Sequence, residues 1–338
     1  MNASLPALPL AALLAGLSFL IAYLGTRLLI PVLTRRAVLD LPNHRSSHDA
    51  PVPRGGGLAV LAALAPSWLL AIHWFPGLSA GTLVVLAAAL ALAAVSWADD
   101  VKGLGVLPRL AAQAVGVGAV LVLAPLPGPV FGGWLPPVAD TLAAALLWLW
   151  FINLFNFMDG IDGIAGVQTA GIGLGLFVTA KVGKLDPAWL ALGLVTAAAA
   201  VGFLRWNWHP ARIFLGDVGS VPLGFLLGWL LLSLAAAGYP APAIILPAYF
   251  LADATATLLR RLARGERVWE AHREHFYQLA IQSGLRHDQV SGIIAVANFF
   301  LIALCMVAMR GLPWPAVSGA IAAVVLLLFL LAKGGPTE

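Results

Sequence analysis

The chain has 338 residues, of which 61% are hydrophobic and only 10% are charged, and its mean hydropathy is +0.94. A soluble core of this size does not need so many apolar residues, so the composition excludes a large soluble helical domain and indicates a polytopic membrane protein. The formal charge of +4 is too small to indicate a nucleic-acid partner, and the single cysteine excludes disulfides and a cysteine-based zinc site.

Apolar segments follow one another along the whole chain, and their continuous character fits helices rather than alternating strands. We therefore expect an all-α fold with about eleven transmembrane helices in a single membrane domain over residues 1–338. The first segment is expected to be a retained helix because no basic region precedes it. The predicted spans are 8–30, 57–75, 79–98, 106–126, 138–157, 163–181, 187–204, 217–237, 241–259, 289–310 and 313–332.

Charged residues lie mainly at one end of these spans. Most of the basic residues fall there, and the positive-inside rule makes this side cytoplasmic, with the N-terminus outside and the C-terminus in the cytoplasm. The predicted cytoplasmic loops lie near residues 34–56, 99–106, 158–162, 205–216 and 260–288. Most acidic residues share this side, which favours an enzyme at the cytoplasmic face over a transporter with polar groups near the midplane.

The first cytoplasmic loop contains Arg45, His48 and Arg54, followed by the glycines 55–57. Three glycines would let backbone N–H groups approach an anion where a helix begins, and Arg54 would add a planar fork suited to phosphate. A flexible hinge with a positive-inside anchor is the alternative, and a solvated loop position is the alternative for His48.

The second loop opens with the adjacent acids Asp99 and Asp100, followed by Lys102. Adjacent side chains do not share a helix face, so one acid is expected to meet a metal or nucleophile while the other orients a basic group. Negative charge is disfavoured at a helix C-terminus, and Lys102 is a candidate for compensating it. A purely structural cap is the alternative.

The third loop belongs to the segment FINLFNFMDGIDG, which spaces Asn153, Asn156, Asp159 and Asp162 three residues apart. On a helix this spacing places neighbouring members side by side on one drifting face, and polar groups in such apolar surroundings indicate a functional site. Their oxygen atoms suit Mg²⁺ and the phosphates that it carries. The drift prevents all four from binding one ion, and the glycine after each aspartate predicts that the helix unwinds there.

The last two loops supply Asp217, flanked by glycines, and a long polar stretch with His272, Arg273 and His275. Asp217 is expected to bind metal, with a simple helix N-cap as the alternative. The two histidines are expected to bind or polarise phosphate, because they lack the soft partners of a zinc site. Asp253 fits a buried hydrogen bond between helices at least as well as a site role. His209 and His287 receive no site role.

These loops resemble, in order and in register, the motifs of the polyprenyl-phosphate N-acetylhexosamine-1-phosphate transferases, which form glycosyltransferase family 4. The segments that carry the resemblance are HDAPVPRGGG, ADDVKGL, NLFNFMDGIDGIAG, FLGDVGS and AHREHFYQ, within a stretch from about Asp40 to Val290. One such motif alone would be weak evidence, whereas five on one membrane face are specific. The resemblance implies an enzyme of the bacterial inner membrane.

The resemblance also implies the chemistry, namely transfer of a HexNAc-1-phosphate from a UDP-sugar to undecaprenyl phosphate, with release of UMP and a requirement for Mg²⁺ or alternatively Mn²⁺. Membrane lipid is the surrounding partner, and a homodimer is left open. The fifth loop favours the O-antigen or surface-polysaccharide initiators over the phospho-muramoyl-pentapeptide transferases, and a lipid-linked or nucleotide sugar transporter is the remaining alternative.

The implied site residues fall into three groups. The catalytic group is Asp99, Asp100, Asp159, Asp162, His272 and His275. The substrate-binding group is Arg45, His48, Arg54, Lys102, Asn153, Asn156 and Arg273. The predicted metal ligands are Asp217 and Asp100.

Overall fold

The computed structural model describes residues 7–41, 50–78, 80–268 and 272–333. These residues form an all-helical bundle with one pair of two-residue strands. The elements are α1 (Ala7–Arg35), β1 (Leu39–Asp40), β2 (Val52–Pro53), α2 (Gly57–Trp74), α3 (Ala80–Lys102), α4 (Val106–Leu123), α5 (Pro137–Phe157), α6 (Ile164–Gly183), α7 (Pro187–Asn207), α8 (Asp217–Ala236), α9 (Pro240–Ile245), α10 (Ala248–Ala263), α11 (Phe276–Gln282), α12 (His287–Met309) and α13 (Pro313–Lys333).

Ten of the helices in the described residues are long and apolar enough to cross a membrane, which confirms the polytopic all-α prediction. The ninth predicted span is instead divided between α9 and α10. Pro247 causes this break, because proline has no N–H group to donate within a helix and its ring clashes with the preceding turn. The described residues thus contain ten continuous candidate spans and one broken segment.

Helix α8 lies at the centre of the bundle and packs against α3, α5 and α2. Its sequence is apolar all round, as expected of a helix surrounded by other helices. Two of its glycines allow close contact with α5, since a Cβ at Gly228 would lie 2.6 Å from Trp148 and one at Gly224 would lie 3.0 Å from Ile152. A second group, α1, α6, α7 and α12, packs beside this centre.

Successive helices alternate in direction, so the described residues of the segments 36–56, 103–105, 158–163, 208–216 and 264–286 gather at one end of the bundle, here called the site end. The strands β1 and β2 pair antiparallel in the first of these segments, and Arg54 pairs with Phe214 in the fourth. Acids at the opposite end have structural partners. The Asp140 carboxylate accepts hydrogen bonds from two backbone N–H groups, and Asp186 caps α7.

Candidate active site

The glycines before α2 bring the starts of α2 and α8 together. The N–H groups of Gly55 and Gly56 donate to the carbonyl of Phe214, at 3.1 and 2.8 Å, and the N–H group of Gly57 donates to the carbonyl of Leu215. The prediction that these groups cradle an anion is therefore wrong. A Cβ on Gly57 would lie 2.1 Å from the Cα of Gly219, so glycine is needed for this close approach.

The approach places Arg54 beside Asp217, which lies at the centre of an ion-pair network. The Nη2 atom of Arg54 lies 2.7 Å from Oδ1 of Asp217, and Nη1 of Arg109 lies 3.3 Å from its Oδ2. Burial would lower the pKa of Arg54, but the charges of Asp100 and Asp217 outweigh it and raise that pKa. Gly216, and not Asp217, is the N-cap of α8, so the carboxylate of Asp217 is available to the site.

The side chain of Asp100 is completely buried against the first turn of α8. Its oxygens accept hydrogen bonds from the N–H groups of Asp217 and Val218, at 3.1 and 2.9 Å, and Arg54 approaches within 2.8 Å. The first N–H groups of a helix lack partners within the helix and favour negative charge. This arrangement favours a positioning role for Asp100, whereas its predicted role as a metal ligand would require it to give up these bonds.

Asp99 faces the following helix. Its carboxylate accepts a hydrogen bond from the N–H group of Leu104 at 2.5 Å and pairs with Arg109 at 3.0 Å. Arg109 thus takes the compensating role that the sequence predicted for Lys102, which is exposed at the end of α3. The short turn 103–105 folds the first turn of α4 back towards Asp99. The separation of ten residues between Asp99 and Arg109, across this turn, is the sequence signal that could have identified Arg109.

The helix does unwind at the glycines that follow the two aspartates, as predicted. Helix α5 ends at Phe157 and α6 begins at Ile164, so Asp159 and Asp162 lie in the intervening loop and the predicted single helical face does not extend to them. The amide of Asn153 donates to Oε1 of Gln113 at 2.7 Å. The amide of Asn156 donates to the hydroxyl of Ser220 at 2.9 Å, and substrate contact by either amide stays a prediction.

Asp159 has unused oxygen atoms at the centre of the site. Within the described part of the chain, its carboxylate accepts no hydrogen bond. Burial raises the pKa of Asp159 well above its ordinary value, and the negative charge of Asp217 raises it further. A cation held by Asp159 and Asp217 would offset this effect on Asp159, and the hard oxygen donors of the two residues fit Mg²⁺.

Asp162 points instead into a group that joins three site-end segments. Its Oδ2 atom lies 2.7 Å from Nδ1 of His209 and accepts a hydrogen bond from the N–H group of Ala211, and its Oδ1 atom lies 3.4 Å from Nδ1 of His287. Ser291 donates to the backbone carbonyl of Asp162. Although burial would raise the pKa of Asp162, the hydrogen bonds from the two histidines lower it. Both histidines therefore contact a predicted site residue, which the sequence did not predict.

The ligand atoms of Asp162, His209 and His287 lie within 4.8 Å of one another. Imidazole nitrogens suit transition metals, whereas Mg²⁺ prefers carboxylate, carbonyl and water oxygens. The pair Asp159 and Asp217 is thus the better fit to Mg²⁺. The hydrogen bonds of Asp162 favour a positioning role, in which it holds the loop that carries Asp159.

The histidine loop is organised by Asp253, which is fully buried in α10. Its carboxylate lies 3.1 Å from Nδ1 of His275 and accepts hydrogen bonds from the N–H groups of Phe276 and Tyr277 and from the hydroxyl of Tyr249. Asp253 is therefore a structural centre that orients His275. The alternative of a buried hydrogen bond is thus the one that the structure supports.

His272 lies beside His275, with ring centroids 4.8 Å apart. Burial lowers the pKa of His272 to about 4, with the charges of His275 and Arg261 adding to the effect, so the ring is neutral at pH 7. Its Nδ1 atom accepts a hydrogen bond from the N–H group of Glu274 at 3.3 Å, which leaves the proton on Nε2. A neutral ring in this tautomer can donate a hydrogen bond to a phosphate.

Tyr277 connects the histidine loop to the loop that carries Asp159. Its hydroxyl donates to the carbonyl of Phe157 at 3.0 Å, and a Cβ on Gly160 would lie 2.1 Å from that hydroxyl. Arg273 is half-buried in the same loop, and its predicted substrate contact stays a prediction. Two other predicted substrate-binding residues, Arg45 and His48, lie outside the described residues.

Comparisons with known proteins agree with this geometry. The sequence profile described as glycosyl transferase family 4 matches residues 82–235. An undecaprenyl-phosphate alpha-N-acetylglucosaminyl 1-phosphate transferase of Salmonella typhi is 30% identical over 318 residues, covering 86% of this chain and 83% of that protein. A decaprenyl-phosphate N-acetylglucosaminephosphotransferase of Mycolicibacterium smegmatis is 32% identical, covering 82% of this chain and 76% of that protein. A probable undecaprenyl-phosphate N-acetylglucosaminyl 1-phosphate transferase of Bacillus subtilis is 26% identical over 83% of this chain and 81% of that protein.

Proposed function

This chain belongs to glycosyl transferase family 4, and we propose that it transfers a HexNAc-1-phosphate from a UDP-sugar to undecaprenyl phosphate. In this reaction an oxygen of the lipid phosphate forms a bond to the sugar-bearing phosphorus, the bond between that phosphorus and the bridging oxygen of the diphosphate breaks, and UMP leaves. The printed names of the relatives favour UDP-GlcNAc as the first donor to test. The product would initiate an O-antigen or another surface polysaccharide.

The observation that carries this proposal is the arrangement around Asp217. Its carboxylate lies between two arginines, and its charge helps to raise the pKa of Asp159, whose carboxyl group accepts no hydrogen bond within the described residues. Within the described residues, the network around Asp217 contains the carboxyl groups of Asp99, Asp100, Asp159 and Asp217 but only two guanidinium groups, those of Arg54 and Arg109. When all four carboxyl groups are ionised, this network has a deficit of positive charge. A divalent cation would remove this deficit, and two negatively charged substrates would make the cation more necessary.

Asp217 and Asp159 are the residues that would hold Mg²⁺, with Asp217 as the principal ligand. When bound, the ion would neutralise phosphate charge as it develops during transfer. Arg54 and Arg109 have planar guanidinium groups that can donate paired hydrogen bonds to phosphate oxygens. Both lie beside Asp217, where they could hold the diphosphate. Together these residues supply the positioning and charge stabilisation on which phosphoryl transfer depends.

A direct attack by the lipid phosphate needs little help from a base. The second pKa of a phosphate monoester is about 6, so the acceptor is largely a dianion at neutral pH. Asp99 is held by Arg109 and by the N–H group of Leu104, which suits it to orient the acceptor. His272, with its proton on Nε2, is placed to donate a hydrogen bond to substrate phosphate.

The acceptor's long chain requires an apolar path into the bundle. A groove of about 530 Å³ between α5, α8, α9, α10 and α13 is lined by apolar side chains that include Trp148, Phe151, Ile244 and Leu251. The groove lies largely in the half of the bundle opposite the site end, and on α5 it reaches Phe151, five residues before Asn156. We propose that it holds part of the polyprenyl chain.

The orientation follows from the same proposal. UDP-sugars are cytoplasmic metabolites, and the basic loops at the site end obey the positive-inside rule if that end is cytoplasmic. We therefore propose that the chain lies in the bacterial inner membrane with its N-terminus outside and its C-terminus in the cytoplasm.

One assay tests the proposal. Purified protein is incubated with Mg²⁺, undecaprenyl phosphate and, separately, UDP-GlcNAc, other UDP-HexNAc donors and the UDP-linked muramoyl pentapeptide, and released UMP is measured. We expect release with UDP-GlcNAc and loss of release in EDTA. An absence of release with every donor would refute the proposed reaction, and full activity in EDTA would refute the metal requirement.

The direct route has its own test. An aspartyl-phosphate intermediate would let labelled UMP exchange into the UDP-sugar in the absence of lipid. We expect no such exchange at enzyme concentrations that give rapid transfer with lipid. Exchange without lipid would establish the covalent route instead.

A further inference from the structure

A second surface of the bundle combines an apolar cleft with exposed arginines, and neither takes part in the site described above. The cleft has a volume of about 620 Å³ and lies between α1, α6, α7 and α12. Small and apolar side chains line it, among them Ala12, Ala15, Ala198, Val201, Leu204 and Trp208.

The cleft opens towards the site end of the bundle. On α7 its lining runs from Leu194 to Trp208, the residue that follows the helix. At 1.5 Å per residue this length is about 21 Å, which exceeds the roughly 15 Å depth of one leaflet of hydrocarbon. A single lipid chain of the adjacent leaflet can therefore lie along the cleft.

Three arginines lie near the open end. The guanidinium groups of Arg205 and Arg212 lie 5.6 and 5.8 Å from the ring centroid of Trp206, and that ring lies 5.4 Å from the ring of Tyr23 on α1. Arg27 follows Tyr23 by one helical turn. All three arginines are exposed, and none forms an ion pair with a residue in the described ranges.

Helix geometry connects the arginines to the cleft. Ala198 and Val201 line the cleft, and Arg205 follows them at i+7 and i+4, so it continues the same stripe of α7 by one turn. An arginine at this position can keep its aliphatic part against the apolar lining while its guanidinium group reaches the headgroup region. The cleft and its charged end thus match the two parts of a lipid.

We propose that this surface binds an anionic phospholipid, with one acyl chain in the cleft and the phosphate between Arg205 and Arg212. A neutral phospholipid would leave the arginine charges uncompensated. A second copy of this chain, docked through a two-fold axis, would bring the same arginines towards each other, and like charges repel. Charge complementarity therefore favours the anionic lipid as the occupant.

The test uses the purified full-length chain and native mass spectrometry after exchange into an equimolar mixture of phosphatidylglycerol and phosphatidylcholine. We expect the wild-type chain to retain phosphatidylglycerol preferentially. The variant R205Q/R212Q should lose this preference by about fivefold for each arginine removed. The control R35Q/R36Q removes the same charge from the end of α1 and should keep the preference.

A second pair of variants tests the cleft. Ala198→Leu fills the cleft and should reduce retention of both lipids, whereas Ala91→Leu, on an exposed face of α3, should not. Size-exclusion profiles and unfolding temperatures establish that each variant is folded. Equal retention of the two lipids by the wild-type chain, or equal loss in both arginine variants, would overturn the proposal. A dimer whose cleft retains no lipid would overturn it in favour of a second copy.

Discussion

The contact between Gly160 and Tyr277 allows a sharp test of whether the histidine loop positions the loop that carries Asp159. A Cβ added at Gly160 would lie 2.1 Å from the hydroxyl oxygen of Tyr277 and 3.0 Å from its Cζ atom. The φ angle of Gly160 is not positive, so alanine is compatible with the backbone and the effect of Gly160→Ala comes from this contact. Either Tyr277 or the Asp159 loop must move.

The magnitude follows from the geometry. Overpacking of this kind costs about 1–3 kcal/mol. If the whole cost raises the free energy of the transition state, kcat/KM falls by roughly 5- to 150-fold. Tyr277→Phe removes the hydrogen bond to the carbonyl of Phe157 and should cost about 1 kcal/mol, or roughly fivefold. In the double variant the 2.1 Å contact is gone, and the ring contacts at 3.0 and 3.2 Å remain. Its loss should therefore be smaller than the product of the two single losses.

The assay is UMP release at varied donor concentration for the four chains of this double-mutant cycle. Gly292→Ala, which has no atom within 4 Å of the added Cβ, and Tyr239→Phe, at the opposite end of the bundle, are the matched controls and should stay within about twofold of wild type. Unfolding temperatures separate misfolding from misplacement. Additive losses would show that the two loops are not coupled through this contact and would refute the positioning argument.

Other predictions concern single residues. Asp217→Asn should reduce kcat by at least about 100-fold and weaken the Mg²⁺ dependence of UMP release, whereas Asp140→Asn at the opposite end should leave that dependence unchanged. Arg109→Gln should reduce kcat/KM by roughly 10- to 150-fold, because a charged hydrogen-bond partner of two acids is lost, and Lys102→Gln should not; equal effects would restore the role that the sequence assigned to Lys102. The pKa of His272 is about 4 in the folded chain and 6.5 in the unfolded chain, so the unfolded chain binds more protons between these values. The free energy of unfolding should rise with pH across this window, and His272→Asn should flatten that rise in denaturant titrations.

Local sequence was enough to predict the features that depend on near neighbours. Continuous apolar runs predicted eleven spans, of which ten are continuous helices and the ninth is divided at Pro247, and the glycines after Asp159 and Asp162 predicted the break between α5 and α6. The alternation of helix direction then placed the polar loops at one end. These features are set by the chain itself, through backbone freedom and the length of membrane spans.

The partners within the site depend on packing between distant segments and were not predictable in this way. Asp100 meets the first turn of α8 because Gly57 and Gly219 allow α2 and α8 to touch. His209 reaches Asp162 across 47 positions of sequence, and His287 reaches it across 125. The three-residue spacing from Asn153 to Asp162 correctly predicted a polar region. It also predicted that these residues lie along one helical face, but that face ends with α5, before Asp159.

The ion-pair network explains how Asp217 can be held in place and still be free to bind a cation. Breaking a buried ion pair is strongly unfavourable when it strands a charge. Here each arginine has a second acid, since Arg54 also pairs with Asp100 and Arg109 also pairs with Asp99. Asp217 can therefore exchange its arginine partners for other ligands without leaving either arginine unpaired. The adjacent acids of α3 thus share one effect beside their separate contacts, which is to keep the two guanidinium groups in place if the carboxylate between them binds a cation.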